Sequence, residues 1–552
     1  MKASLPNAGR ILAVLGAMVV PLVRAAPDPG SSSPARLERW VYAPANYLVP
    51  EQADRIEALM RRARPLGYTH FLLTDSKFNR LGQMEKRYFD NVARVRKTAA
   101  ELGLEVVPAL FSVGYSNDLL SQDPNLAEGL PVKEALFVVK DNVARHQPDP
   151  EVVLRGSDLA DKRSWGFVDE SVRFEEGTAF SGPVEGNARL NQKLALAPFR
   201  QYHIGVDLRA EGFGGGQPEI KILAGGRSLQ WTSVKVESNQ DWKRVDVTFN
   251  SLDHTEAMFY LGVWGGHKGK LWWRNPRLEE CGLVNLLRRA GAPLVVRREG
   301  GSILTEGQDF DQPADPEMGT KPWAGEYTAW HQPPDIRTHG LADGTRLRVS
   351  YFHPHIVYDG QVCACVSEPK TMTILADQAK RVHDLWGART HMMSHDEWRV
   401  LGWDKACLDR QLAPGQIAAR NLAECTKLLE REVPGGRICV WSDMFDPHHN
   451  AVDEYYLVNG SLKGAWEGLT KDVVVVNWNF DKRAESLRFF SDRGNRQLIA
   501  GYYDGPPGQI REWLDAARGV PGVIGVIYTT WRQDYSQLEA FAKEVEAAAG
   551  GR

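Results

Sequence analysis

From Trp40 onward, short apolar runs alternate with amphipathic segments, and this strand–helix–strand order constrains the fold more than any other feature of the chain. Trp40–Ala43, Thr69–Thr74 and Leu104–Phe111 read as strands. Glu51–Arg64 and Lys86–Leu102, the latter closed by Gly103, carry helical apolar spacing between them. The alternation resumes late in the chain, with helices over Met372–Leu385, Pro414–Glu432, Gly508–Arg518 and Ser536–Ala548. Between them lie strands over Thr390–Ser394, Arg437–Val440, Val473–Val476, Leu498–Gly501 and Val523–Tyr528. Such alternation builds a parallel sheet covered by helices. Eight runs are clear barrel candidates; Leu347–Tyr351 is a ninth for eight places and stays open between barrel and insertion.

The interruption has a different texture. Pro124–Pro150 reads as irregular. From about Val152 to Glu280 come short alternating strands with Gly- and Asn-rich turns, among them Tyr202–Leu208, Glu219–Leu223, Arg244–Phe249 and Met258–Trp264. A stretch of this kind fits a β-sandwich. Leu283–Arg289 then reads as a helix, and Pro293–Asp311 as a hairpin turning at Gly300-Gly301. The expectation is an α/β chain, a (β/α)8 TIM-type barrel with an inserted jelly-roll β-sandwich. Its parts are a first barrel segment over 37–150, the sandwich over 151–281 and a second barrel segment, with the active site, over 282–552.

The N-terminus reads as a signal peptide over 1–26. Lys2 and Arg10 precede the apolar run Ile11–Val23, with Ala25-Ala26 at a plausible cleavage point. The expected location is exported, periplasmic or extracellular, with no membrane association after cleavage. A formal net charge of −3, with Lys and Arg spread along the chain, argues against a nucleic-acid partner. Six cysteines in 552 residues do not make a disulfide scaffold. Cys363 and Cys365, one residue apart, have poor spacing for zinc ligands, and Cys439 in its apolar run reads as buried. No metal site and no cofactor are expected. Oligomeric state is not legible.

Chemistry in a (β/α) barrel sits at the C-terminal strand ends. Trp441, Trp478 and Trp531 each close an apolar run there, and Asp75, Asp443 and Asp504 lie beside such ends. Indole faces cover the C–H surfaces of sugar rings, and carboxylates accept their hydroxyl protons. The central motif is Met392-Met393-Ser394-His395-Asp396-Glu397-Trp398. Adjacent side chains on a strand point to opposite faces. Where a strand breaks into its loop, both acids can enter one pocket and push their pKa values apart, as a general acid in glycoside hydrolysis requires.

The segment Cys365-Val366-Ser367-Glu368-Pro369-Lys370-Thr371 leads into the helix before this motif, and Trp441, Trp478, Tyr502-Tyr503-Asp504 and Trp531 follow it in order. In these residues the chain resembles the family 20 glycoside hydrolases, the β-N-acetylhexosaminidases, although Ser394-His395 stand where that family has two glycines. The insert, with its closing stretch Gly269–Glu280, resembles the jelly-roll carbohydrate-binding modules. The first resemblance implies a glycosidase acting on an oligosaccharide or polysaccharide by substrate-assisted, retaining catalysis. Asp396 would accept from the acetamido N–H and Glu397 would protonate the leaving oxygen. Tyr502 or Tyr503 would donate to the acetamido oxygen, and Asp443 and Asp504 would hold hydroxyls. His395 either orients a carboxylate or satisfies a backbone carbonyl.

Two other classes stay open. His353, His355, His395, His448 and His449 lie near candidate strand ends, as the ligands of a metal-dependent barrel hydrolase would. A non-catalytic carbohydrate-binding barrel predicts the same aromatic pocket with Glu397 misplaced. Asp443 as a protein nucleophile, with Glu397 as acid, is a further glycosidase variant.

Overall fold

The computed structural model describes residues 37–358 and 360–550; the expected signal peptide lies outside them. Eight parallel strands close into a barrel. They are β1 (Glu38–Pro44), β2 (His70–Thr74), β3 (Glu105–Leu110), β4 (Thr390–Met393), β5 (Arg437–Trp441), β6 (Val474–Asn477), β7 (Gln497–Tyr503) and β8 (Val523–Thr529). Closure is made by β8 on β1, with Glu38 opposite Gly525. Helices α1 (Pro50–Ala63), α2 (Lys86–Leu102), α3 (Pro369–Trp386), α4 (Pro414–Glu432), α5 (Arg483–Asp492), α6 (Gln509–Ala516) and α7 (Leu538–Gly550) connect and cover the strands. The sequence reading missed α5. The β5–β6 crossing has no α-helix, only short 3-10 turns at Asp443–Phe445 and Ala465–Gly468 and the two-residue strand Leu457–Val458.

Alternate residues fill the barrel. Trp40, Leu72, Val107, Ala109, Met392, Cys439, Val474, Val476, Leu498 and Ala500 form its interior, with Trp441 above Cys439 and Trp478 above Val476. Period-two alternation thus carries a single inward stripe from the packed core into the mouth.

The chain leaves the barrel after β3 and returns through α3. The excursion holds two antiparallel assemblies. In the sandwich, pairs of expected strands prove to be halves of single long ones. Tyr202–Leu208 and Glu219–Leu223 both belong to Gln201–Ala224, and Met258–Trp264 continues into the closing stretch within Glu256–Glu280. Register shifts at Glu211/Gly214 and Gly215/Gln217 bend the pair, and glycines at positive φ, including Gly212, Gly215, Gly216, Gly265 and Gly269, stand at the bend.

The second assembly is a five-stranded sheet ordered Val295–Arg298, Arg346–Pro354, Gly129–Lys140, Val143–His146, Ile336–Arg337. It decides one reading left open and corrects two expectations. The run Leu347–Tyr351 belongs here and not to the barrel. Residues 129–146, read as irregular, supply two strands. Their pattern was obscured by a bulge at which Glu134 takes φ 60° and the buried positions pass from Val132 to Ala135. Leu283–Arg289 is not helical; Leu283 and Leu286 bury themselves in the core of this sheet, and their spacing imitates a helix face. The hairpin at Gly300-Gly301 is present in reduced form, with Arg297 bridged to Ile303. Asn250 joins the sandwich to the sheet, donating to Pro131 O at 3.0 Å and lying 3.0 Å from His353 Nε2. No helix of the described residues is long and apolar enough to cross a membrane.

Candidate active site

A cavity of about 550 Å³ opens at the C-terminal mouth of the barrel. Asp75, Asp396, Glu397, Trp441, Trp478, Tyr503 and Trp531 all line it. Strand parity explains which residues of the central motif enter. Met392, Ser394 and Asp396 follow the inward stripe, whereas His395 points outward and meets Asn421 of α4 at 3.1 Å. Glu397 would also face outward on a continued strand. Instead its backbone takes φ 48°, and the turn brings its side chain back to the cavity. Gly114 underlies this turn: a Cβ there would stand 2.1 Å from the Asp396 carbonyl oxygen.

The two acids have different surroundings. Glu397 Oε1 pairs with Arg399 Nη2 at 2.7 Å, and Oε2 accepts from the Tyr115 hydroxyl. Arg399 is buried, lies over the ring of Tyr358 and donates to Gln361. Gln361 in turn donates to the carbonyl oxygens of Glu397, at 2.8 Å, and Gly114, at 3.0 Å. Asp396 has no cation in contact among the described side chains. Burial pushes its carboxyl up from the ordinary carboxylate range, and the carboxylates of Asp443 and Glu397 push it further.

Asp443 is fully buried behind the wall. It accepts from the Glu397 N–H at 2.8 Å, Asn450 Nδ2 at 3.0 Å and Trp478 Nε1 at 3.3 Å. Burial raises its pKa against the lowering effect of these bonds. Its place corrects the expectation that it holds a sugar hydroxyl: it anchors the Glu397 turn and the Trp478 indole.

Asp504 likewise works through the backbone, accepting from Trp531 N at 2.7 Å and from the Thr530 hydroxyl, and so fixes the Trp531 loop. Asp75 caps the turn after β2 through Lys77 N while facing the cavity. Burial raises its pKa to about 6.

Of the two tyrosines on β7, only Tyr503 reaches the cavity. A register shift between Ala500 and Tyr502 reverses parity, and Tyr502 turns outward to stack on Tyr528 with centroids 4.2 Å apart. Tyr503 stacks on Trp478 at 5.9 Å, and Trp441 and Trp531 lie 6.0 Å apart, so the aromatic wall is continuous.

The histidines do not assemble a metal centre. His353 is tied to Asn250 and His395 to Asn421, and the one group of potential ligands found among the described residues contains no histidine. Sequence reasoning missed Tyr115, Gln361 and Arg399. Arg399 stands two residues beyond Glu397, and that proximity was the available signal.

No protein-family model matches the chain, and no curated protein matches it. Among solved structures, it is similar to a chitobiase of Flavobacterium johnsoniae at 9% identity and a TM-score of 0.38, over 94% of this chain and 52% of that one. It is also similar to a β-N-acetylhexosaminidase, at 9% identity and a TM-score of 0.40, over 92% of this chain and 71% of that one. A rhamnosidase from Novosphingobium sp. PP1Y matches at 12% identity and a TM-score of 0.35, over 93% of this chain and 59% of that one. This chain thus spans little more than half the length of the chitobiase and the rhamnosidase.

Proposed function

We propose that the protein is a glycoside hydrolase acting on an oligosaccharide or polysaccharide, with Asp396 and Glu397 as its catalytic pair. The observation that carries the reading is the convergence of both carboxyl groups on one aromatic-walled cavity at the barrel mouth. Trp441, Trp478, Tyr503 and Trp531 offer faces for sugar C–H surfaces, and Asp75 offers an acceptor for a hydroxyl.

The assignment of roles departs from the one the sequence resemblance implies. Asp396, raised by burial and by neighbouring acids, is the better holder of a proton near neutral pH. Glu397, the anionic half of an ion pair, is the better stabiliser of positive charge at the anomeric carbon. In a substrate-assisted reaction the acetamido oxygen bonds to the anomeric carbon as the glycosidic C–O bond breaks, and Asp396 gives its proton to the leaving oxygen. Water then attacks the same carbon, returns a proton to Asp396 and reopens the ring. Tyr503, which lines the cavity, is the tyrosine assigned to the acetamido oxygen.

A panel of aryl glycosides with and without a 2-acetamido group tests this. Hydrolysis confined to acetamido sugars, abolished in Asp396→Asn with binding kept, supports the reading. Loss in both variants, with Glu397→Gln and not Asp396→Asn rescued by aryl leaving groups of low pKa, would restore the roles the resemblance implies. A second reading, saccharide binding without hydrolysis, is favoured by one observation, the commitment of Glu397 to Arg399 and Tyr115. Saccharide binding with no turnover of any glycoside would establish that reading instead.

A further inference from the structure

Four side chains that the proposed reaction does not use meet in the interior, beside the loop that carries Arg399. Glu128 lies just before the strand Gly129–Lys140, and Cys365 just before α3. Asp404 and Cys407 belong to the short helical turn Lys405–Leu408, Asp404 as its N-cap. All four are buried, and one potential donor atom of each lies within 4.8 Å of the others.

Three of the six separations among them are those of ligands around a small tetrahedral ion, and the rest lie within 4.8 Å. Bonds of about 2.3 Å to sulfur and about 2.0 Å to oxygen place two sulfurs about 3.8 Å apart, and a sulfur and an oxygen about 3.5 Å apart. Here Cys365 Sγ and Cys407 Sγ are 3.8 Å apart, Cys365 Sγ and Asp404 Oδ1 3.5 Å, and Cys407 Sγ and Glu128 Oε2 3.4 Å.

The outer atoms are held in the way that orients metal ligands. Glu128 Oε1 accepts from Trp403 N at 2.9 Å, which leaves Oε2 toward Cys407. Asp404 Oδ2 accepts from Arg289, while Oδ1 accepts from Cys407 N at 3.0 Å and also faces Cys365. Arg289 also pairs with Glu368, outside the cluster, so its charge is divided between two carboxylates. Buried carboxylates without full compensation are costly, and a divalent cation is the compact remedy.

We propose that Glu128, Cys365, Asp404 and Cys407 form a zinc site. With four protein ligands and no open position, such a site is structural. It ties together three segments remote in sequence: the approach to the five-stranded sheet, the approach to α3, and the loop after β4. This inference is independent of the proposed hydrolase activity.

The test uses the full-length protein, purified without a metal-affinity tag and reconstituted with zinc. The expected result is one tightly held zinc per chain, all six cysteines titrating as thiols after denaturation in chelator, and a thiolate-to-metal charge-transfer band on substitution with cobalt. Cys365→Ser should lose the zinc, while Cys439→Ser, in the barrel interior, should keep it. Because the cysteine variant can fail to fold, Glu128→Gln, which preserves the Trp403 contact, provides the second arm. Its zinc affinity should fall by about tenfold or more. Absence of stoichiometric zinc after reconstitution would overturn the proposal. So would a mass lower by two hydrogens with two thiols missing, which would mark a Cys365–Cys407 disulfide.

Discussion

At the residue scale, the protonation of Asp396 is set first by burial and then by a neighbour that does not line the cavity. Asp443 lies behind the wall and raises the pKa of Asp396 by like-charge repulsion, second only to burial. A proton donor with a raised pKa is active below that pKa and loses its proton as pH rises through it, so in the proposed reaction Asp396 would set the alkaline limb of the activity profile. Asp443→Asn removes the repulsion and should move that limb to lower pH, as measured by kcat/KM against pH on an aryl glycoside. Gly114 supplies a steric counterpart. Gly114→Ala would drive a methyl group into the Asp396 carbonyl, and the turn must then move. The expected outcome is a fall in kcat/KM of about tenfold or more, since small misplacements of reacting groups are expensive. The candidacy of Asp396 and Glu397 was legible in the sequence because an acid pair follows an apolar run. Of the groups around Glu397, only Arg399 left a signal, by its proximity. Tyr115 and Gln361 come from loops far along the chain, and only folding brings them to Arg399.

At the scale of the element, parity decides function. The barrel strands were readable because their apolar runs are flanked by well-spaced helices, and Lys86–Leu102 and Pro414–Glu432 match the sequence reading residue for residue. Departures from parity were not readable. The shift inside β7 exchanges Tyr502 for Tyr503, and the bulge at Glu134 hides a twelve-residue strand; each is a local backbone event with no compositional mark. The exchange separates the two tyrosines experimentally. Tyr502→Ala opens a void beneath Tyr528 and Phe541 and should cost about 3–5 kcal/mol in denaturant unfolding. Tyr503→Ala, at a position 46% exposed, should leave stability nearly unchanged and raise KM or the saccharide Kd.

For the whole molecule, the two assemblies of the excursion are joined by buried polar contacts. Asn250 is 1% exposed and bonds to Pro131 and His353 of the five-stranded sheet. Asn250→Ala leaves those groups without a partner and should destabilise the protein by about 1–3 kcal/mol, seen as a lower denaturant midpoint. The location of the excursion bears on how the protein reaches its native state. Ala109 of β3 pairs directly with Met392 of β4, yet the sandwich and the five-stranded sheet lie between them in the chain. Closing so long a loop is entropically slow. Ribosomes release β3 well before its neighbour exists, so the half-built cylinder has to wait with an open edge. Prior collapse of the intervening sheets would draw the two ends together and shorten that wait.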